Sequence, residues 1–254
     1  MQIRHTDVDP AVAGASIDSG EVRVFLSTPD LFGDATRLER VLSDADRSHI
    51  ERFRFDVDRR AARTSRIVQR LALSQCSSVA PTSWEFTAEP LHKPRICGPE
   101  FAPPLEFSVS NTRGLVACAV TIGRRVGIDV EAYKPQVPTS VLQRCWSSRE
   151  RALFEQLTAA EQSKRFAAVW TAKESFAKAI GLGLALDLAL VEIDADATGY
   201  RLALDAGIAE NGVTWTLAHW QADPAHALSV CVEGESERCV VTSRWLSAST
   251  VEGL

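Results

Sequence analysis

Paired cysteines, clustered histidines, long apolar runs and an excess of positive charge are all missing from this 254-residue chain. Each absence excludes something. None of the six cysteines (Cys76, Cys97, Cys118, Cys145, Cys231, Cys239) stands in a Cys-x-x-Cys pair, and none has a histidine at zinc-finger spacing. Several lie inside apolar runs, as Cys118 does in Leu-Val-Ala-Cys-Ala-Val, and read as reduced core thiols of a cytosolic protein. The five histidines (His5, His49, His92, His219, His226) form no triad and no metal spacing, so none is assigned catalysis. No apolar run is long enough to span a bilayer, and the first residues lack the charged-then-apolar pattern of a signal peptide. The expected location is the cytoplasm, with no membrane partner. A net charge of −5 gives no global basic field for nucleic acid. Low-complexity sequence is also absent.

What is present is a chain with 45% hydrophobic residues, enough to bury a large core as one domain or two small ones. Charge is uneven. Arginines crowd the stretch from Arg47 to Arg70, either as a solvated helix face or as a local anion site for a phosphate-bearing ligand. Residues 1–20 are polar and irregular and read as a loose arm. Glu21–Ser27 alternates as a strand. Ser43 caps a short helix through about Phe53, and a longer helix starts at Asp56 or Asp58. A short strand at Trp84–Thr87, a loop at Leu91–Arg95 and a Pro-rich linker at Pro99–Pro104 follow. Leu105–Ser110 and Leu115–Ile122 then form a hairpin around Asn111 and Gly114, before a strand at Val126–Glu131. Ser147-Ser-Arg-Glu150 is a capping box opening another short helix. After residue 184 five β-like runs close the chain. Both halves thus carry a Ser-capped short helix, an Arg-Phe pair (Arg54-Phe55, Arg165-Phe166) and a longer helix, which points to two related α+β subdomains.

The second long helix, read from Phe166 to Leu184, is the unusual element. Phe166, Val169, Lys173, Phe176 and Ile180 share one face, and Gly181 and Gly183 end it. A lysine in an apolar stripe pairs with a carboxylate or snorkels. Trp170, Glu174 and Lys178 stand four apart on a second stripe beside it. On the strand Val126–Glu131, Asp129 and Glu131 project from one face, with backbone positions roughly 6.6 Å apart. Two carboxylates at that spacing suit a solvated strand face or a shared hard cation. Mg²⁺ takes one or two carboxylates plus substrate phosphates. With Glu174 as a third acid and two lysines for phosphate oxygens, the set describes a metal-and-diphosphate site.

Gly127-Ile-Asp-Val-Glu131, followed some forty residues on by Trp170-Thr-Ala-Lys-Glu-Ser-Phe-Ala-Lys178, strongly resembles the 4′-phosphopantetheinyl transferases of the Sfp-like, double-subdomain type. Phe107-Ser-Val-Ser-Asn-Thr-Arg-Gly-Leu-Val-Ala-Cys-Ala-Val120 is similar to the family's Ser-His-containing strand-turn-strand, and Leu91-His-Lys-Pro94 to its Gly-Lys-Pro loop. The resemblance covers roughly residues 43 to 195. It implies an α+β fold of two similar α/β subdomains about a pseudo-twofold axis, divided at 1–124 and 125–254, in a monomer. Coenzyme A, the substrate, would lie between them, and an apo acyl or peptidyl carrier protein would be the partner.

Asp129, Glu131 and Glu174 match the ligands of Mg²⁺, for which Mn²⁺ could substitute. Glu174 also matches the general base, and Lys173 a motif lysine near the metal; these two are the expected catalytic residues. Lys178 matches a pyrophosphate-binding lysine, and Lys93 and Ser110 match nucleotide contacts. Asn111 replaces the usual histidine beside the 3′-phosphate and reads equally as a turn residue; Arg113 carries the charge it lacks. The family's phosphate-binding arginine falls at Ala61, so Arg60 or Arg63 is expected in its place. Glu150 is explained by its capping box. Two other readings of the same residues are a metal-dependent phosphodiesterase and a non-catalytic paralogue that binds coenzyme A or carrier protein.

Overall fold

The computed structural model describes residues 2–5, 16–29, 38–87, 93–196 and 199–246. Residues 6–15 of the expected arm, and Leu91 and His92 of the expected loop, lie outside them.

In chain order the strands are β1 (Gln2–His5), β2 (Glu21–Ser27), β3 (Glu85–Phe86), β4 (Ile96–Gly98), β5 (Leu105–Thr112), β6 (Leu115–Ile122) and β7 (Val126–Ala132). They continue with β8 (Val191–Asp196), β9 (Gly199–Leu204), β10 (Trp215–Asp223), β11 (His226–Glu233) and β12 (Val240–Trp245). The helices are α1 (Asp44–Ile50), α2 (Asp56–Gln75), α3 (Thr139–Cys145), α4 (Ser148–Glu155) and α5 (Ala159–Ala179).

The two halves repeat one plan. Strand β2, helices α1 and α2, a small hairpin β3–β4, and the hairpin β5–β6 are followed by β7, α4 and α5, the hairpin β8–β9, and the hairpin β10–β11. In each half the first strand lies antiparallel beside the last, giving the neighbour orders β2-β6-β5 and β7-β11-β10. The two sheets pack face to face through Val22, Val24 and Ala119 on one side and Ile128, Val130 and Val230 on the other. Helix α2 covers the outer face of the first sheet, with Val68 and Leu71 against Phe25 and Cys118. Helix α5 covers that of the second, with Val169 and Phe176 near Cys231. The result is a four-layer α-β-β-α stack of two α/β subdomains.

The repeat reaches into the core. Ser43 and Ser147 each close a capping box with the acid three residues on, Asp46 and Glu150. Each acid then binds a base buried in the long helix of its own half: Asp46 meets Arg70 at 2.6 Å, and Glu150 meets Lys173 at 2.6 Å. Arg70 and Lys173 are both the fifteenth residue of their helices. The Arg-Phe pairs are not equivalent, because Phe55 is the N-cap of α2 whereas Phe166 lies well inside α5.

Several elements depart from the sequence reading: α3 and β4 are not among the expected elements, and the helix read to Leu184 ends at Ala179. Helix α5 begins at Ala159, seven residues early, because Thr158 and Glu161 form a third capping box. The N-terminal arm contains a strand: β1 pairs in parallel with β12, which itself pairs in parallel with β2. The last strand therefore crosses back from the second half into the first sheet. With one apolar residue in four, β1 carries no periodic signal of its own, and its partner's edge organises it.

Strand β7 and α5 touch closely at Gly127. A Cβ there would lie 1.9 Å from the Ser175 carbonyl oxygen and 2.5 Å from the Ala179 nitrogen. Both are helix backbone, which cannot give way as a side chain does. Gly127→Ala is expected to destabilise by about 1–3 kcal/mol or more through overpacking, read as a lowered denaturant midpoint. Because Gly127, Asp129 and Glu131 alternate onto the α5 side of β7, this approach also sets how near the helix comes to the two acids.

Candidate active site

Strand β5 ends the first sheet and β7 ends the second, and their edges meet through serine hydroxyls rather than a backbone ladder. Ser108 Oγ accepts from the Ile128 amide at 3.2 Å, and Ser110 Oγ from the Val130 amide at 3.4 Å. Ser110 also donates to Asp129 Oδ1 at 2.7 Å. Helix α5 lies over this seam. Glu174 and Lys178, one turn apart, bring an acid and an ammonium to it. Lys178 Nζ donates to Asp129 Oδ1 at 2.7 Å and to Ser110 Oγ at 2.9 Å.

Asp129 and Glu174 are 6% and 7% exposed. One oxygen of each, Asp129 Oδ2 and Glu174 Oε1, is buried with no hydrogen-bond partner. A buried carboxylate oxygen without a donor is costly, and a hard divalent cation satisfies that need. Burial, and then the nearby Asp129 charge, push the Glu174 carboxyl above the usual carboxylate range, with Lys178 opposing. These two acids fit Mg²⁺ or Mn²⁺. Glu131 points to Lys134 instead, at 2.6 Å. Among the described residues no three His, Cys, Asp or Glu side chains converge as a ready cage.

A cavity of about 470 Å³ opens beside this cluster, between the halves. Helix α2 and β5 form one wall, and Lys178 with Gly181 and Gly183 the other. Lys93 lines it and donates to the Val126 carbonyl at 2.7 Å; burial pulls its ammonium down to about 8. Asn111 lines it too, donating to Ser65 Oγ on α2 at 3.0 Å.

The remaining expected residues are placed elsewhere. Lys173 is wholly buried and spends its three donors on Glu150, the Cys145 carbonyl and the Leu188 carbonyl, away from Asp129. It pairs with a carboxylate, one of the two arrangements open to a lysine in an apolar stripe, and does not stand near the metal-binding acids as the expected catalytic residue. Arg113 is exposed on the β5–β6 turn, where its carbonyl meets His226 Nε2 at 2.8 Å, and it does not line the cavity. Arg60 and Arg63 line a separate cavity of about 330 Å³ with Asp56 and Arg59.

Helix rotation explains the last displacement. Asp58, Ala61, Ala62, Ser65, Arg66 and Gln69 form the stripe that faces the cleft, with the three-and-four spacing of one helix face, while Arg60 and Arg63 belong to the next stripe. Arg66 is the cation missed in the sequence. It lies four residues beyond Ala62, and that spacing was the signal available. Burial lowers its affinity for the proton. It bonds Gln69 Oε1 at 3.0 Å, leaving the buried Gln69 Nε2 without a partner.

Comparison with known proteins places this architecture in a class. Residues 125–231 match the model of the 4′-phosphopantetheinyl transferase superfamily, and residues 33–122 that of the N-terminal part of 4′-phosphopantetheinyl transferases. The chain belongs to this superfamily. Within it, the matches to both halves fit the Sfp-like type. It is 27% identical to a phosphopantetheinyl transferase of Thraustochytrium sp. over 86% of this chain and 79% of that one. It is 34% identical to the 4′-phosphopantetheinyl transferase HetI of Nostoc sp. over 58% of this chain and 63% of the relative. Identity to the 4′-phosphopantetheinyl transferase Sfp of Bacillus subtilis is 24% over 82% and 89%. Among the described residues no helix is long and apolar enough to cross a membrane.

Proposed function

We propose that this chain transfers the 4′-phosphopantetheine group of coenzyme A to a serine of an apo acyl or peptidyl carrier protein, releasing 3′,5′-ADP. The observation that carries this reading is the meeting of Asp129, Glu174 and Lys178 at the seam between the two halves, beside a cavity into which Lys178 reaches.

The serine oxygen of the carrier forms a bond to the phosphorus that bears pantetheine, and the bond from that phosphorus to the ADP oxygen breaks. A serine hydroxyl is a weak nucleophile and needs a base. Glu174 is the acid whose proton affinity is raised, by burial and by Asp129, and it takes the serine proton directly or through a water. Asp129 and Glu174 would hold Mg²⁺, which when bound offsets charge on the diphosphate. Glu131 would join them by leaving Lys134, whose side chain is nearly half exposed. Lys178 and Lys93, both lining the cavity, supply ammonium groups for phosphate oxygens.

Arg66, with the free donor of Gln69 beside it, takes the 3′-phosphate in place of Arg60 or Arg63. Arg66→Met is therefore expected to raise KM for coenzyme A by about 10- to 100-fold, the worth of a charged hydrogen bond. KM for dephospho-coenzyme A, which has no 3′-phosphate, stays unchanged. An equal rise for both substrates would remove Arg66 from this role.

The arginines of α2 that face away from the cleft, Arg59, Arg60 and Arg63, offer a local basic surface to an acidic carrier protein. The reaction itself is tested by mass spectrometry of apo-carrier proteins after incubation with coenzyme A, Mg²⁺ and this protein. One phosphopantetheine gained on serine is the expected result. Rapid 3′,5′-ADP release without any carrier would make the chain a phosphodiesterase instead.

A further inference from the structure

Asp129 is already neutralised in the free protein by a cation that belongs to the chain. Its Oδ1 receives two donors, Lys178 Nζ at 2.7 Å and Ser110 Oγ at 2.7 Å, while its buried Oδ2 receives none. Glu131 is held in the same way by Lys134 at 2.6 Å. The two lysines differ in setting. The Lys134 side chain is 46% exposed, so water and salt weaken its pair; that of Lys178 is 26% exposed. Lys178 also lines the cavity, within reach of a ligand's phosphate oxygens.

We propose that Lys178 is a placeholder cation, holding the acid pair together until a diphosphate draws it away, so that divalent ion and diphosphate bind in a coupled way. This deepens the transferase reading and rests on it. A divalent ion approaching Asp129 and Glu174 in the free protein meets an ammonium bonded to one of its two ligands, and the like charges repel. Moving Nζ from Asp129 to a phosphate oxygen removes that repulsion and opens Oδ1. Ser110 stays behind to keep Asp129 oriented. By linkage, whatever factor the diphosphate contributes to metal affinity, the metal returns to diphosphate affinity. A coupling of about 5- to 150-fold is the usual range for such linked sites.

The test is Mn²⁺ binding by electron paramagnetic resonance, with and without saturating coenzyme A and corrected for Mn²⁺ held by free coenzyme A. In the wild type, coenzyme A is expected to tighten Mn²⁺ binding at least fivefold. Without coenzyme A, Lys178→Met is expected to bind Mn²⁺ at least fivefold tighter than wild type, and Lys178→Arg, which keeps the charge, no tighter. Mn²⁺ should then raise the melting temperature of Lys178→Met more than that of wild type. Should Lys178→Met fail to fold, Lys178→Gln, uncharged but polar, takes its place with the same expected gain. Equal wild-type affinity with and without coenzyme A, or no gain in Lys178→Met, overturns the placeholder role and leaves the metal site standing. Absence of Mn²⁺ binding in every form, even with coenzyme A, rejects the metal site and the placeholder together.

Discussion

Replacing Glu174 by glutamine should lower kcat by about 10²- to 10⁴-fold, the usual worth of a positioned general base, while making the metal-free protein more stable. The two effects have one cause. Burial and the Asp129 charge raise the folded-state carboxyl above its unfolded value, so the ionised form is disfavoured in the fold. Its cost is absent below the unfolded carboxyl range and grows as pH rises through that range toward the raised folded value. Glutamine keeps the shape and cannot ionise, so Glu174→Gln should melt at a higher temperature than wild type at neutral pH and at the same temperature in acid. The measurement is a pair of melting curves at each pH with metal chelated, beside a carrier-protein transfer assay. A variant of full activity would remove Glu174 as the base. A variant less stable at neutral pH would contradict the burial argument.

Lys173→Met should cost about 3–5 kcal/mol of folding stability, because it leaves a buried charge without its partner. Glu150 would lose the ammonium at 2.6 Å, and the Cys145 and Leu188 carbonyls would each lose a donor. Glu150 keeps its capping bond to the Ser147 amide and its bond from the Ile193 amide, so the loss lies in charge rather than in geometry. The double variant Glu150→Gln/Lys173→Met should recover part of the loss. Urea denaturation of the three forms checks both statements. The KM for coenzyme A of folded Lys173→Met should equal that of wild type, since the lysine neither lines the cavity nor touches Asp129. A raised KM at unchanged stability would return Lys173 to the site. Arg70 is the equivalent base, bound to Asp46 and to the carbonyls of Pro81 and Trp84; its loss should cost less, because Asp46 keeps Arg66 at 3.6 Å. The same solution thus pins the short helix to the long one in both halves.

How much of this was legible depends on how local each feature is. Strands β5, β6, β7 and β11 were readable because alternation and a turn are properties of neighbouring residues. So were α1 and α4, whose capping boxes lie within four residues of sequence. The start of α5 is equally local, in the capping box of Thr158 and Glu161, but it lies ahead of the apolar stripe whose period marks the helix. Strand β1 was not legible, because the edge it pairs with belongs to residues more than two hundred positions away.

In the site, Asp129, Glu174 and Lys178 were found from the alternation of a strand and the turn of a helix, and from their resemblance to a known pair of motifs. Identity and spacing alone singled out these residues for the proposed chemistry and pointed to two related halves around them. Tertiary structure decided the partners: Lys178 on Asp129, Lys134 on Glu131, Lys173 on Glu150, and Arg66 rather than Arg60 or Arg63 in the cleft. The reason is that a side chain's partner depends on helix rotation and on how closely layers pack. Here those are set by contacts such as Gly127 against Ser175, which join residues far apart in the chain.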